Sequence, residues 1–127
     1  MPKVPDSAIA RFRDQASALR HLSAAAGDVQ RRINDALRHR HELAAHREHQ
    51  ARPRVVATGL GGRLVDVTNP EVLVEIDRQI ASADAELVRL RAELAGIDAR
   101  RNAASQLVSR CRDLLVERGV ARTQLEF

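Results

Sequence analysis

The sequence predicts an all-α fold: a long antiparallel two-helix coiled-coil hairpin, with a small β-hairpin or ordered loop at its tip, that assembles into oligomers. Three observations predict it. Residues 69–118 carry a sustained heptad stripe, and residues 6–51 carry a second, less regular one. Between them, residues 52–68 form a glycine-containing connector bracketed by Pro53 and by Asn69-Pro70. The 127 residues then make a single helical-hairpin domain closed by a C-terminal tail at 119–127.

The second stripe is the clearer of the two. Alternating steps of three and four residues connect Leu73, Ile76, Ile80, Ala83, Leu87, Leu90, Leu94, Ile97, Arg101, Ala104, Val108, Cys111 and Leu115. Such spacing keeps side chains on one helix face and is the a/d seam of a left-handed coiled coil. Asn69 or Thr68 can cap the start, Pro70 suits the first turn, and Glu71 favours the positive end of the helix dipole. Gly119 supplies the stop. At 1.5 Å per residue the helix is roughly 70 Å long. Arg101 alone interrupts the seam, either snorkelling outward or fixing register at a cost in stability.

In the first half, a cap at Asp6 or Ser7 leads into Ile9, Phe12, Ala16, Leu19, Leu22, Ala26, Val29, Ile33, Ala36 or Leu37, and Leu43. Two successive three-residue steps, Ala16 to Leu19 to Leu22, are a stammer that overwinds the coil locally. Arg52-Pro53 ends the pattern, because the residue before a proline is pushed out of the helical region. A turn centred near Gly61 places residues whose numbers add to about 123 side by side, so that Phe12 meets Cys111 and Leu43 meets Ile80. Gly27 and Gly96 then fall at one level, where they either share a bend or are independently tolerated.

The connector holds two short β-branched runs, Arg54-Val55-Val56-Ala57 and Arg63-Leu64-Val65-Asp66-Val67, around Thr58-Gly59-Leu60-Gly61-Gly62. That reads as a β-hairpin. A lone two-stranded ribbon is marginal in water, so it is expected to pair with or lie on another subunit. The glycine-rich turn lacks the GK[ST] ending of a phosphate-binding loop and does not open into a helix.

Composition narrows the function. Aromatics are 2% of the chain, Phe12 and Phe127 alone, which suits thin helix-on-helix seams better than a bulky globular core. A net charge of +4 with acids mixed throughout is less lopsided than that of a nucleic-acid coat protein. One cysteine allows no internal disulfide and fits a reducing compartment. No apolar run approaches the roughly 20 residues that span a bilayer, and the N-terminus lacks a signal-peptide pattern. A protein without membrane contact, cytoplasmic at synthesis and then incorporated into a larger particle such as a virion, is the expectation.

No catalytic or metal constellation stands out, and a two-helix rod offers no deep cleft, so neither enzymatic activity nor a cofactor is expected. All five histidines fall between His21 and His49. Glu42, His46 and His49 share a helix face, but without the arrangement of a zinc protease the default is a solvated surface. Arg38, Arg40, Arg47, Arg52, Arg54 and Arg63, with Val55 and Val65, make the tip the most basic region and a candidate partner-binding surface. Nucleic-acid contact there is confined to the backbone, since no aromatic side chain is present for base stacking.

A second candidate surface lies near the end of the second helix. There Leu107, Leu114, Val116 and Val120 exceed what one partner helix can hide and suggest an oligomer or partner face. Leu125 and Phe127 in the tail read as a docking hook. The helix, β-hairpin, helix order with adjacent termini is similar to the subunit plan of β-type prefoldin, a likeness of layout that covers most of the chain. These features imply a non-enzymatic structural or assembly protein, homo-oligomeric within a larger complex. The alternative is a small chaperone-like, inhibitor-like or nucleic-acid-associated adaptor acting through its basic tip.

Overall fold

The computed structural model describes residues 4–52 and 69–125, and the backbone alone of residues 54–58 and 61–65. Two helices dominate, α1 (Asp6–Ala51) and α2 (Pro70–Glu117), and they pack against each other. Between them lie β1 (Arg54–Thr58) and β2 (Gly61–Val65), and a short 3-10 turn, η1 (Arg122–Gln124), follows α2. The chain divides into two compact units, residues 1–30 with 92–127 and residues 31–91.

Local chemistry explains the helix ends. Asn69 caps α2: its Oδ1 accepts from the Glu71 amide at 3.0 Å, and its carbonyl accepts from Leu73. Thr68 lies outside the described residues. α1 starts one residue earlier than a cap at Asp6 requires, since the Pro5 carbonyl accepts from the Ala8 amide at 3.0 Å. Asp6 therefore sits in the first turn, where its charge suits the dipole. α1 stops at Ala51, just before the Arg52-Pro53 step.

β1 and β2 pair antiparallel, from Arg54 opposite Val65 to Thr58 opposite Gly61. The second strand is shifted from the expected Arg63–Val67 run toward the two glycines. With Arg54 paired to Val65, the register leaves Gly61 and Gly62 as the partners of Thr58 and Ala57. Asp66 and Val67 lie outside the described residues.

The heptad stripe is the buried face of α2. In residues 31–91, Ile76, Ala83, Leu87 and Leu90 are buried, and Ile33 and Leu43 of α1 are buried with them. Ala36 is half-buried while Leu37 is exposed, which decides between the two positions the sequence left open. Arg40 reaches Asp84 and Arg47 reaches Asp77 across the helix pair. In both pairs the residue numbers add to 124, so the helices run antiparallel within one residue of the expected register.

In residues 1–30 with 92–127, Phe12, Ala26, Val29, Ile97, Val108 and Leu115 are buried. Phe12 and Cys111 belong to one apolar cluster, as the register predicts. Arg101 snorkels: its guanidinium leaves the seam to meet Asp98 one turn back at 2.9 Å. The helices continue through Gly27 and Gly96, and a Cβ built at either glycine meets nothing within 4 Å. Neither glycine is there to admit a close neighbour.

Candidate partner-binding faces

The unit that holds both chain ends is closed by a chain reversal. α2 ends in a Schellman motif, with Gly119 at φ 96° donating to Val116 and Val120 donating to Leu115, each at 3.0 Å. The reversal carries residues 120–125 back over the helix pair, and the Arg13 guanidinium donates to the Gln124 carbonyl at 3.4 Å. Val120 and Leu125 thereby join Phe12, Val108 and Leu115 in one buried cluster. Phe12 is left 1% exposed, with the Arg112 guanidinium 5.8 Å from its ring centroid, within cation–π range.

This closure corrects two expectations. Val120, expected on a partner-facing surface, is 8% exposed and packs inside its own chain. Leu125, expected to hook a partner, is 3% exposed for the same reason. Once Gly119 turns the chain back, the nearest apolar surface is the molecule's own helix pair. Val116 is half-buried against the same cluster. Phe127 lies outside the described residues.

Leu107 and Leu114 are different. They are 48% and 47% exposed and, seven residues apart, lie on one face of α2. Leu114 borders an open groove of about 840 Å³ that reaches Phe12 and Cys111 and is walled on the α1 side by Val4, Ala8 and Gln15. Exposed Arg11, Arg118 and Glu117 also line it. The Gln15 Oε1 is buried without a hydrogen-bond partner, a loss of about 1–3 kcal/mol for such a group.

In the other unit the basic residues are largely engaged. Arg40 and Arg47 were expected to face a partner, but they bind Asp84 and Asp77 of the same chain. The Arg47 guanidinium is held above its ordinary value, first by the hydrogen bond to Asp77 and then by that carboxylate's charge. Arg52 pairs with Glu48 one turn away at 3.0 Å. Arg38 is exposed, while the side chains of Arg54, Val55, Arg63 and Val65 lie outside those described. The acids follow from α2's own sequence: Asp77 and Asp84 are seven apart and flank the seam, a signal the arginine count overlooked.

His39, His41, His46 and His49 are all exposed, as is Glu42. Among the described residues no three His, Cys, Asp or Glu side chains converge as a metal ion requires. Val74 and Val88, each 68% exposed, were not singled out from the sequence. With Ala81 between them they form a column seven residues apart on α2, which is the pattern that marks them. No described helix is long and apolar enough to cross a membrane.

No protein-family model matches this chain, and neither a curated protein nor a solved structure is similar to it.

Proposed function

We propose that this chain is a non-enzymatic structural or assembly protein, a coiled-coil subunit packed into a larger protein complex, of which a virion or phage tail is one kind. The observation that carries the reading is the placement of Leu107 and Leu114. Both lie exposed on one face of α2, and Leu114 lines a groove that reaches the apolar cluster. Large aliphatic side chains arranged in this way favour a protein partner over solvent.

Native mass measurement tests it. In extract from its natural source the chain is expected in a species well above its own 14.1 kDa, from which Leu107→Glu with Leu114→Glu releases it. Several copies of the chain in that complex would also give the purified protein a mass above one chain in sedimentation. A stable, folded monomer both in extract and alone would sink the proposal.

The alternative, an adaptor acting through a basic tip, is weakened because Arg40 and Arg47 are already bound to Asp84 and Asp77. It retains Arg38, Arg52, Arg54 and Arg63 as its binding residues. Changing Arg52, Arg54 and Arg63 together to Glu separates the two readings. Loss of partner binding with assembly intact favours the adaptor, and no change in any interaction leaves the connector only a link between helices.

A further inference from the structure

We infer that the groove beside Phe12 receives an acidic amphipathic helix from a different protein. The inference rests on the reading above that a protein partner holds this chain, and it adds the chemistry of that partner. Leu114, Val4 and Ala8 supply an apolar floor and wall of a size that takes the aliphatic anchors of one helix. Arg11 and Arg118 line the same groove with only Glu117 opposing them, and Arg110 lies on the Leu107–Leu114 face of α2.

Six arginines elsewhere in the chain are already paired. Arg40, Arg47, Arg52, Arg78, Arg89 and Arg101 each meet a carboxylate of their own chain. Arg11, Arg110 and Arg118 have no such pair among the described residues. An occupant with glutamates or aspartates flanking its apolar anchors would complete their pairing, and one with lysines there would be repelled.

The same charges argue against a second copy as the occupant. A two-fold antiparallel pairing that sets Leu107 on Leu114 places Arg110 near the axis, facing its own symmetry mate. Two further basic residues, Arg11 and Arg118, would arrive with each copy. Self-association of this chain then runs through another surface, such as that bearing Val74 and Val88, both well exposed.

Fluorescence anisotropy with two labelled synthetic helices tests this. Both carry leucines at alternating three- and four-residue spacing; one has glutamates on both flanks and the other lysines. The full-length chain is expected to bind the glutamate helix saturably, more weakly as salt rises, and to bind the lysine helix at least about tenfold less well. Arg11→Glu with Arg118→Glu should reverse that preference, and Leu114→Glu should abolish binding while circular dichroism shows the fold intact. Equal binding of the two helices overturns the inference, as does no saturable binding of the glutamate helix by folded protein. So does a homo-oligomer that Leu114→Glu disperses, which makes a second copy the occupant. Each of these results can arise while the native mass still shows a large complex, so failure here is distinct from failure of the assembly reading.

Discussion

The backbone amide of Val120 donates to the carbonyl of Leu115 at 3.0 Å, and the two side chains brought together by that bond are both buried. The pair sits on either side of Gly119, whose φ of 96° lies in the left-handed region where a Cβ is disfavoured. Gly119→Ala is expected to destabilise the fold by about 1–2 kcal/mol, because no neighbour crowds the site and backbone strain is the whole effect. Urea unfolding measures it. A midpoint equal to wild type means the reversal is not held by this residue.

Phe12 anchors what that reversal covers. It is the one aromatic side chain among the described residues and is almost wholly buried, so Phe12→Ala leaves a large hole in a small cluster. The expected cost is about 3–5 kcal/mol. A loss under about 1 kcal/mol in the same urea experiment would mean the cluster does not depend on the ring.

Gly27 and Gly96 predict the opposite sign. Each lies inside a continuous helix with open space where a Cβ would stand. Gly27→Ala and Gly96→Ala should each raise stability by about 0.5–1 kcal/mol through lower unfolded-state entropy and better helix propensity. A fall in thermal midpoint for either would show a role for backbone freedom that the open space does not reveal.

Arg40 and Asp84 form an inter-helix pair with side chains about half exposed, so the pair is worth little by itself. Asp84→Arg should nonetheless hurt more than Asp84→Ala, by placing two guanidinium groups together. Exchanging the residues, Arg40→Asp with Asp84→Arg, should recover most of the loss. A double-mutant cycle is expected to give a coupling of about 0.2–1 kcal/mol. Zero coupling would remove this pair as a determinant of register.

Acid should weaken the start of α2. The Glu75 carboxyl is held below the usual range, first by hydrogen bonds from Arg78 at 2.7 and 3.0 Å and then by one from Gln79 at 3.3 Å. A carboxyl lowered by folding stabilises the fold above its unfolded value and loses that contribution as pH falls through its folded value. The gap in thermal midpoint between wild type and Glu75→Gln is therefore expected to close as pH falls from neutral to about 3. A gap of constant size over that interval would show that the carboxylate contributes nothing.

Much of this was legible in the residue order. A stripe such as Leu73 to Leu115 is set by the pitch of the helix, so its inward face is fixed before any partner is known, and every position on it is buried or half-buried. The antiparallel register came within one residue because two helices of similar length joined by a short connector have few other ways to meet. The apolar residues near the end of α2 and beyond it were harder. Leu107, Leu114, Val120 and Leu125 are equally apolar on paper, yet two are exposed and two are buried.

The amino-acid sequence by itself determined the helices, their buried stripes and their pairing, because helical pitch and hydrophobic spacing are local and repeat along the chain. Only the tertiary structure decided which apolar groups stay exposed and which basic groups stay unpaired. Val120 and Leu125 are consumed by a single left-handed turn at Gly119, and Arg40 and Arg47 are neutralised by acids on the other helix. Both outcomes depend on groups distant in sequence coming within a few ångströms, and no local pattern encodes that distance.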